Sequence, residues 1–164
     1  IRDWSVTGVS DVCSSDLGTV YGTASPRFYL DGLDRLRPES AQRIETRFIG
    51  RITPQEAPLL EGRGSTIVQT GFLPQAEALR QMEAADFLLI TMTHAPSMPG
   101  KLYEYLASGK PILAIARSGG ELARILDETG AGWWADPDEP GAVERLLERA
   151  ILANDGKTDR KSVV

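Results

Sequence analysis

Six short apolar runs alternate with stretches of helical period along this chain, and that alternation limits the possible folds more than any other feature. Strands read at Gly18–Tyr21, Thr46–Gly50, Thr66–Thr70, Asp86–Thr91, Ile112–Ala116 and Gly132–Ala135. The first helix opens on the Ser25-Pro26 pair and carries Leu30, Leu33 and Leu36 on one face as far as Arg37. Thr53-Pro54-Gln55-Glu56 reads as a capping box opening a short helix to Leu60. Further helices read at Pro74–Ala84, Lys101–Ser108 and Glu121–Glu128, and a last one runs from the Pro137–Pro140 turn to about Ala153. Parallel neighbours need right-handed crossovers, so such a series predicts an α/β fold: a doubly wound parallel sheet of about six strands with helices on both faces. In the usual order 3-2-1-4-5-6 a ligand crevice opens at the carboxyl ends of strands one and four. Those ends are Gly18–Ser25 and Thr91–Gly100, the loops richest in Gly, Pro, Ser and Thr.

The stretch from Thr91 to Leu113 concentrates the chemistry. Pro96, Pro99 and Gly100 keep the approach to the Lys101–Ser108 helix non-helical, while Gly109 and Pro111 end it. At 100° per residue Lys101, Glu104 and Ser108 share a polar stripe, with Leu102 and Leu106 roughly opposite. The unpaired N–H groups of the first turn, the helix dipole and the Lys101 ammonium together suit an anion such as a diphosphate. A carboxylate one turn deeper, Glu104, could accept hydrogen bonds from a vicinal diol such as a ribose. The same i, i+3 spacing also describes a solvent-exposed ion pair worth only about 0.2 to 0.5 kcal/mol, and on spacing alone that is the simpler reading.

Other chemistries are disfavoured. The loop after the first strand reads G-T-V-Y-G-T-A-S-P, without the G-x-G-x-x-G spacing of a dinucleotide site, and no phosphate-gripping G-x-x-x-x-G-K-[ST] occurs. No His, Cys or carboxylate cluster has metal spacing, and nucleophile-elbow and triad patterns are missing. The 164 residues, 41% hydrophobic and 25% charged, suffice for one domain with one core. A net charge of -5 and the lack of a basic run argue against nucleic acid or an acidic membrane surface as the main partner. No apolar run approaches the length of a membrane span.

The string P-G-K-L-Y-E-Y-L-A-S-G-K-P-I-L-A, with the downstream G-G-E-L-A-R-I-L-D-E-T-G-A-G, resembles the C-terminal, donor-binding half of the GT-B glycosyltransferases of family 4, also called group 1. The resemblance runs from about Gly18 to Asn154. It implies a retaining transfer, of hexosyltransferase type, from a nucleoside-diphosphate sugar to an acceptor glycan, lipid or small molecule held by an absent N-terminal domain. It implies no cofactor and no metal. Glu104 then holds the donor ribose, while Lys101 and the backbone of Ser97 to Lys101, including Gly100, stabilise the leaving phosphate. Gly22 and Thr23 approach the phosphates, where Arg27 is the nearest basic residue. Gly71 and Phe72 fall where the family contacts the base, although core packing explains Phe72 as well. His94 and Thr93 face either the sugar or solvent. Many members carry a Glu eight positions before the ribose Glu; here Pro96 stands there. Glu121 reads as a helix-start charge, and Trp133 and Trp134 as core and edge residues. A noncatalytic α/β nucleotide-binding or scaffold module, and half of a nucleotide-sugar epimerase, fit the same pattern.

The first 17 residues show no strand or helix period and resemble a translated sequencing adapter, as do residues 159–164. The native domain is therefore expected at 18–158, as a fragment of a bacterial, metagenomic gene. The only cysteine, Cys13, falls in the suspect segment, and without both segments the net charge moves only from -5 to -4. The parent enzyme is expected in the cytoplasm, with any peripheral contact with the inner membrane made by the missing half.

Overall fold

The computed structural model describes residues 15–20, 22–63, 66–96 and 98–161. Strand β1 (Ser15–Val20) leads through a short 3-10 turn at Gly22–Ala24 into α1 (Arg27–Arg35) and α2 (Pro38–Ala41). Next come β2 (Thr46–Ile52), α3 (Ala57–Leu60), β3 (Ile67–Gly71) and α4 (Gln75–Ala84). The second half holds β4 (Leu88–Met92), α5 (Lys101–Ser108), β5 (Ile112–Ala116), α6 (Glu121–Thr129), β6 (Gly132–Ala135) and α7 (Ala142–Lys161). All strand pairs are parallel.

The strand order is the expected one, but the ladder is interrupted. Strands β1-β2-β3 form one three-stranded sheet and β4-β5-β6 another, with β1 lying against β4 at the seam. Side-chain and backbone bonds from the end of β4 to the turn after β1 join the halves there. The buried Thr91 hydroxyl donates to the Ala24 carbonyl at 2.9 Å, and the Thr93 N–H donates to the Thr23 carbonyl at 3.0 Å.

Strands β4 and β5 are buried throughout, Thr91 included, as strands covered on both faces of a parallel sheet are. Their side chains alternate between two cores. Leu89, Leu113 and Ile115 pack with Tyr29, Leu30 and Leu33 of α1 and with Val143, Leu146 and Leu147 of α7. Leu88, Ile90, Ile112 and Ala114 pack on the other face with Met82 of α4, Leu102 and Tyr105 of α5, and Leu122 and Leu126 of α6. Gly32 permits the close crossing of α1 and α7, since an added Cβ would stand 2.4 Å from Val143 Cγ1.

Several boundaries differ from the sequence reading. β1 starts at Ser15 and pairs Ser15, Asp16 and Leu17 with Arg47, Phe48 and Ile49, because a ladder is built from backbone and does not depend on side-chain pattern. For the same reason the helical backbone of α7 continues past Ala153 to Lys161. Tyr21, Ser97, Cys13 and the remainder of the first 14 residues lie outside the described residues. The Thr53–Glu56 box does not close through side chains. Its turn closes through backbone, with the Glu56 N–H donating to the Thr53 carbonyl at 3.0 Å, while the buried Glu56 carboxylate accepts the Ser25 hydroxyl at 2.5 Å.

Candidate functional site

The loops after β1, β4, β5 and β6 meet at the carboxyl end of the seam. Thr93 is their common point. Its N–H and its hydroxyl, the latter at 3.3 Å, both donate to the Thr23 carbonyl, and its own carbonyl accepts Arg117 Nε at 2.9 Å. Arg117 also pairs with Asp138 in the loop after β6. Asp136 in that loop accepts the backbone N–H groups of Ser118 at 2.7 Å and Asp138 at 2.9 Å. Partial burial works against its charge, yet those two bonds, with the Arg117 guanidinium nearby, hold its carboxyl below the ordinary carboxylate range. At the outer side of the first loop, Ser25 Oγ accepts the Arg27 N–H at 3.3 Å while donating to Glu56.

Helix α5 begins where the sequence places it. Gly100 sits at its N-cap with no side-chain cap, and the Leu102 N–H turns back to the Pro99 carbonyl at 3.0 Å. Gly109 ends the helix in the left-handed region at φ 69°, where a Cβ would be strained. The buried face carries Leu102 and Tyr105, with Leu106 partly covered. Lys101 is half-buried at the helix start, and this desolvation pulls its ammonium from the ordinary 10.5 down to about 7. Glu104 projects away from Leu102 and Tyr105 and is exposed in this chain. No ion pair engages Glu104 among the described residues, so the simple i, i+3 pair with Lys101 is not formed.

Glu104 lines a groove of about 470 Å³ with Ala107 and Ser108 of α5 and with Gln75, Ala78, Leu79 and Met82 of α4. Gln75 opens α4, three residues past Phe72, so the groove leads toward the turn after β3. Phe72 is 90% exposed, which overturns core packing as its explanation. Gly71 beside it has φ 68°, a left-handed turn that releases the chain from β3.

The remaining candidates divide. Gly22 and Thr23 lie exposed at the seam, Arg27 is exposed at the start of α1, and Ser97 is outside the described residues. His94 is exposed in the β4–α5 loop, whereas Thr93 spends its polar groups on the loop junction. Glu121 is engaged by Arg124 at the start of α6, which lowers its carboxyl pKa. Trp133 packs on Phe87 with Arg149 over its ring, and Trp134 Nε1 donates to Asp127. No group of three or more His, Cys, Asp or Glu suited to a metal occurs among the described residues, and no described helix is long and apolar enough to cross a membrane. Gln75 and Arg117 were not singled out by the sequence, and Glu56 only as the end of a capping box. The partners of Glu56 and Arg117 lie far away in the chain, and only the position of Gln75 after the β3 turn offered a local signal.

A doubly wound parallel sheet with its polar loops gathered at the switch point defines a ligand-binding α/β domain. Residues 17–152 match the family described as glycosyl transferases group 1, and the chain belongs to that family as a GT-B C-terminal domain. It is 38% identical over 92 residues to a probable glycosyltransferase, WbjE, of Pseudomonas aeruginosa, covering 54% of this chain and 23% of that protein. WaaG, a glycosyltransferase involved in lipopolysaccharide biosynthesis, superimposes with a TM-score of 0.68 at 19% identity, covering 87% of this chain and 38% of its own. Anabaena HepE, solved in complex with UDP, superimposes with a TM-score of 0.61 at 17% identity, covering 87% of this chain and 40% of its own. The chain therefore spans less than half of each of these relatives.

Proposed function

We propose that this chain is the donor-binding half of a retaining glycosyltransferase, of hexosyltransferase type, that takes its sugar from a nucleoside diphosphate. The observation that carries the reading is the placement of Glu104. It stands one turn inside an uncapped helix start, free of any ion pair among the described residues, in a groove shared with the first residue of α4. The diphosphate seats at the start of α5 against Lys101 and the Gly100 backbone, with Gly22 and Thr23 across the seam. The ribose hydroxyls reach Glu104 and the base lies by Gly71 and Phe72. His94 borders the sugar. The UDP carried by HepE supports a nucleotide of this class.

Cleavage of the bond between anomeric carbon and diphosphate places negative charge on the leaving phosphate. Lys101 and the N–H groups at the helix start are preorganised donors for that charge, so the step calls for no metal or cofactor from this domain. The acceptor comes through the N-terminal domain, and this chain alone does not turn over.

Two charge-assisted hydrogen bonds to Glu104 contribute about 1.5 to 3 kcal/mol each, against about 4 to 15 kcal/mol of lost ligand freedom. Affinity for this half is then on the order of millimolar. An NMR titration with UDP, GDP and ADP tests the reading. One nucleotide is expected to shift amides around Gly71, Gly100 and Lys101, and Glu104→Ala to abolish the response. Titrations that leave these amides unmoved, or that Glu104→Ala does not affect, contradict it.

A further inference from the structure

Arg117 is the first residue beyond β5, and it makes two bonds in different directions. Nε donates to the Thr93 carbonyl at 2.9 Å, and Nη1 pairs with Asp138. Thr93 in turn donates to the Thr23 carbonyl from both its N–H, at 3.0 Å, and its hydroxyl, at 3.3 Å. Asp138 is itself held, because its N–H donates to Asp136, which also grips the Ser118 N–H. One guanidinium thus fastens the β4–α5 loop to the loops after β5 and β6, and through Thr93 to the turn after β1.

We infer that Arg117 is a positioning residue for the nucleotide crevice, fixing the β4–α5 loop at Thr93 so that the start of α5 is presented in one geometry. The inference rests on the donor-binding reading for its functional consequence, while the brace itself stands on the hydrogen bonds. A planar fork with separate N–H directions is required for two bonds at this angle. A lysine supplies a single ammonium and reaches one partner at a time. The β5–α6 turn reinforces the same loop by direct contact. A Cβ added at Gly120 would lie 3.4 Å from the Ala95 carbonyl oxygen, so this turn leaves the loop little room on that side. Free of Arg117, the loop would keep the Thr93 bonds to Thr23 and the Glu121 N–H on the Ala95 carbonyl at 3.5 Å, but its first residue would lose the tie to the loops after β5 and β6.

Amide exchange followed by NMR on the 164-residue chain and on Arg117→Gln tests the brace without any ligand. Exchange at Thr93 should accelerate about tenfold or more, while Leu113 and Ile115 within β5 keep their rates. Asp138→Ala, which leaves Arg117 in place but removes its outer anchor, should accelerate Thr93 by a smaller factor, and it carries the test if Arg117→Gln does not fold. Unchanged exchange at Thr93, or acceleration spread evenly over the whole sheet, overturns the inference. UDP titrations of the same proteins separate it from the functional reading. If the parent chain binds UDP, Arg117→Gln should bind several-fold more weakly at unchanged melting temperature, and equal affinity overturns the positioning role. If the parent chain shows no response to UDP, the donor reading falls, and the Thr93 exchange still decides the brace.

Discussion

Lys101 offers a prediction whose sign and size follow from where it sits. Its ordinary pKa of 10.5 falls to about 7 because burial disfavours the ammonium. Between those values the unfolded chain binds more protons than the folded one, so the Lys101 contribution makes stability rise with pH from about 7 toward 10.5. Below about 7 both states hold the proton and the cost is complete. The full depression would correspond to about 5 kcal/mol. Since Lys101 keeps part of its surface in solvent, an effect on the order of 1 to 2 kcal/mol is expected after screening. Lys101→Met removes the charge and should therefore be more stable than the parent by about that amount at pH 6.5, with the difference closing as pH rises. Urea denaturation of both proteins across pH 6.5 to roughly 9.5 measures this difference, in which titrations elsewhere cancel. The ligand sign is opposite. A diphosphate favours the ammonium, so UDP affinity should fall by up to about tenfold per pH unit above 7, and the fall should vanish in Lys101→Met. A Lys101 side chain that titrates near its ordinary value by NMR, or a stability difference independent of pH, refutes the reasoning.

Two further substitutions separate binding from packing. Phe72→Ala removes an exposed ring, so melting temperature should stay within experimental scatter, while loss of about 1 to 3 kcal/mol of base stacking should weaken UDP at least fivefold in titration. Gly32→Ala should do the reverse. The new methyl meets the branched Val143 side chain, and overpacking of about 1 to 3 kcal/mol outweighs about 1 kcal/mol of gained helix propensity, lowering urea stability while nucleotide affinity holds.

The parts of the fold visible in the sequence are those with local punctuation. Helix α5 and strands β5 and β6 fall on their expected bounds, because Pro99-Gly100, Gly109, Pro111 and Gly130 each force a start or a stop within a residue or two. Helix α2 escaped notice because four residues are too few to display a period. Interruption of the sheet at the seam, and the bonds that bridge it, depend on groups far apart in sequence. Thr91 and Ala24 are 67 positions apart, Ser25 and Glu56 are 31 apart, and Arg117 and Thr93 are 24 apart. Such pairs carry no local pattern. Glu104 and Lys101 could be chosen as candidate site residues from their place on α5, but their environments could not be read there. The carboxylate described by sequence as gripping a sugar stands exposed in this half, and the ammonium beside it is the more desolvated of the two. Phe72 shows the same limit from the other side. An aromatic after a strand reads equally as core or as ligand platform until its exposure is known.

The donor-binding reading requires α5 to seat a nucleoside diphosphate with Glu104 on the pentose. A crystal of this chain grown with millimolar UDP tests that most directly. The diphosphate is expected at Gly100 and Lys101, with both ribose hydroxyls within hydrogen-bond distance of the Glu104 carboxylate. A nucleotide bound in the crevice with that carboxylate turned away from the ribose would contradict it.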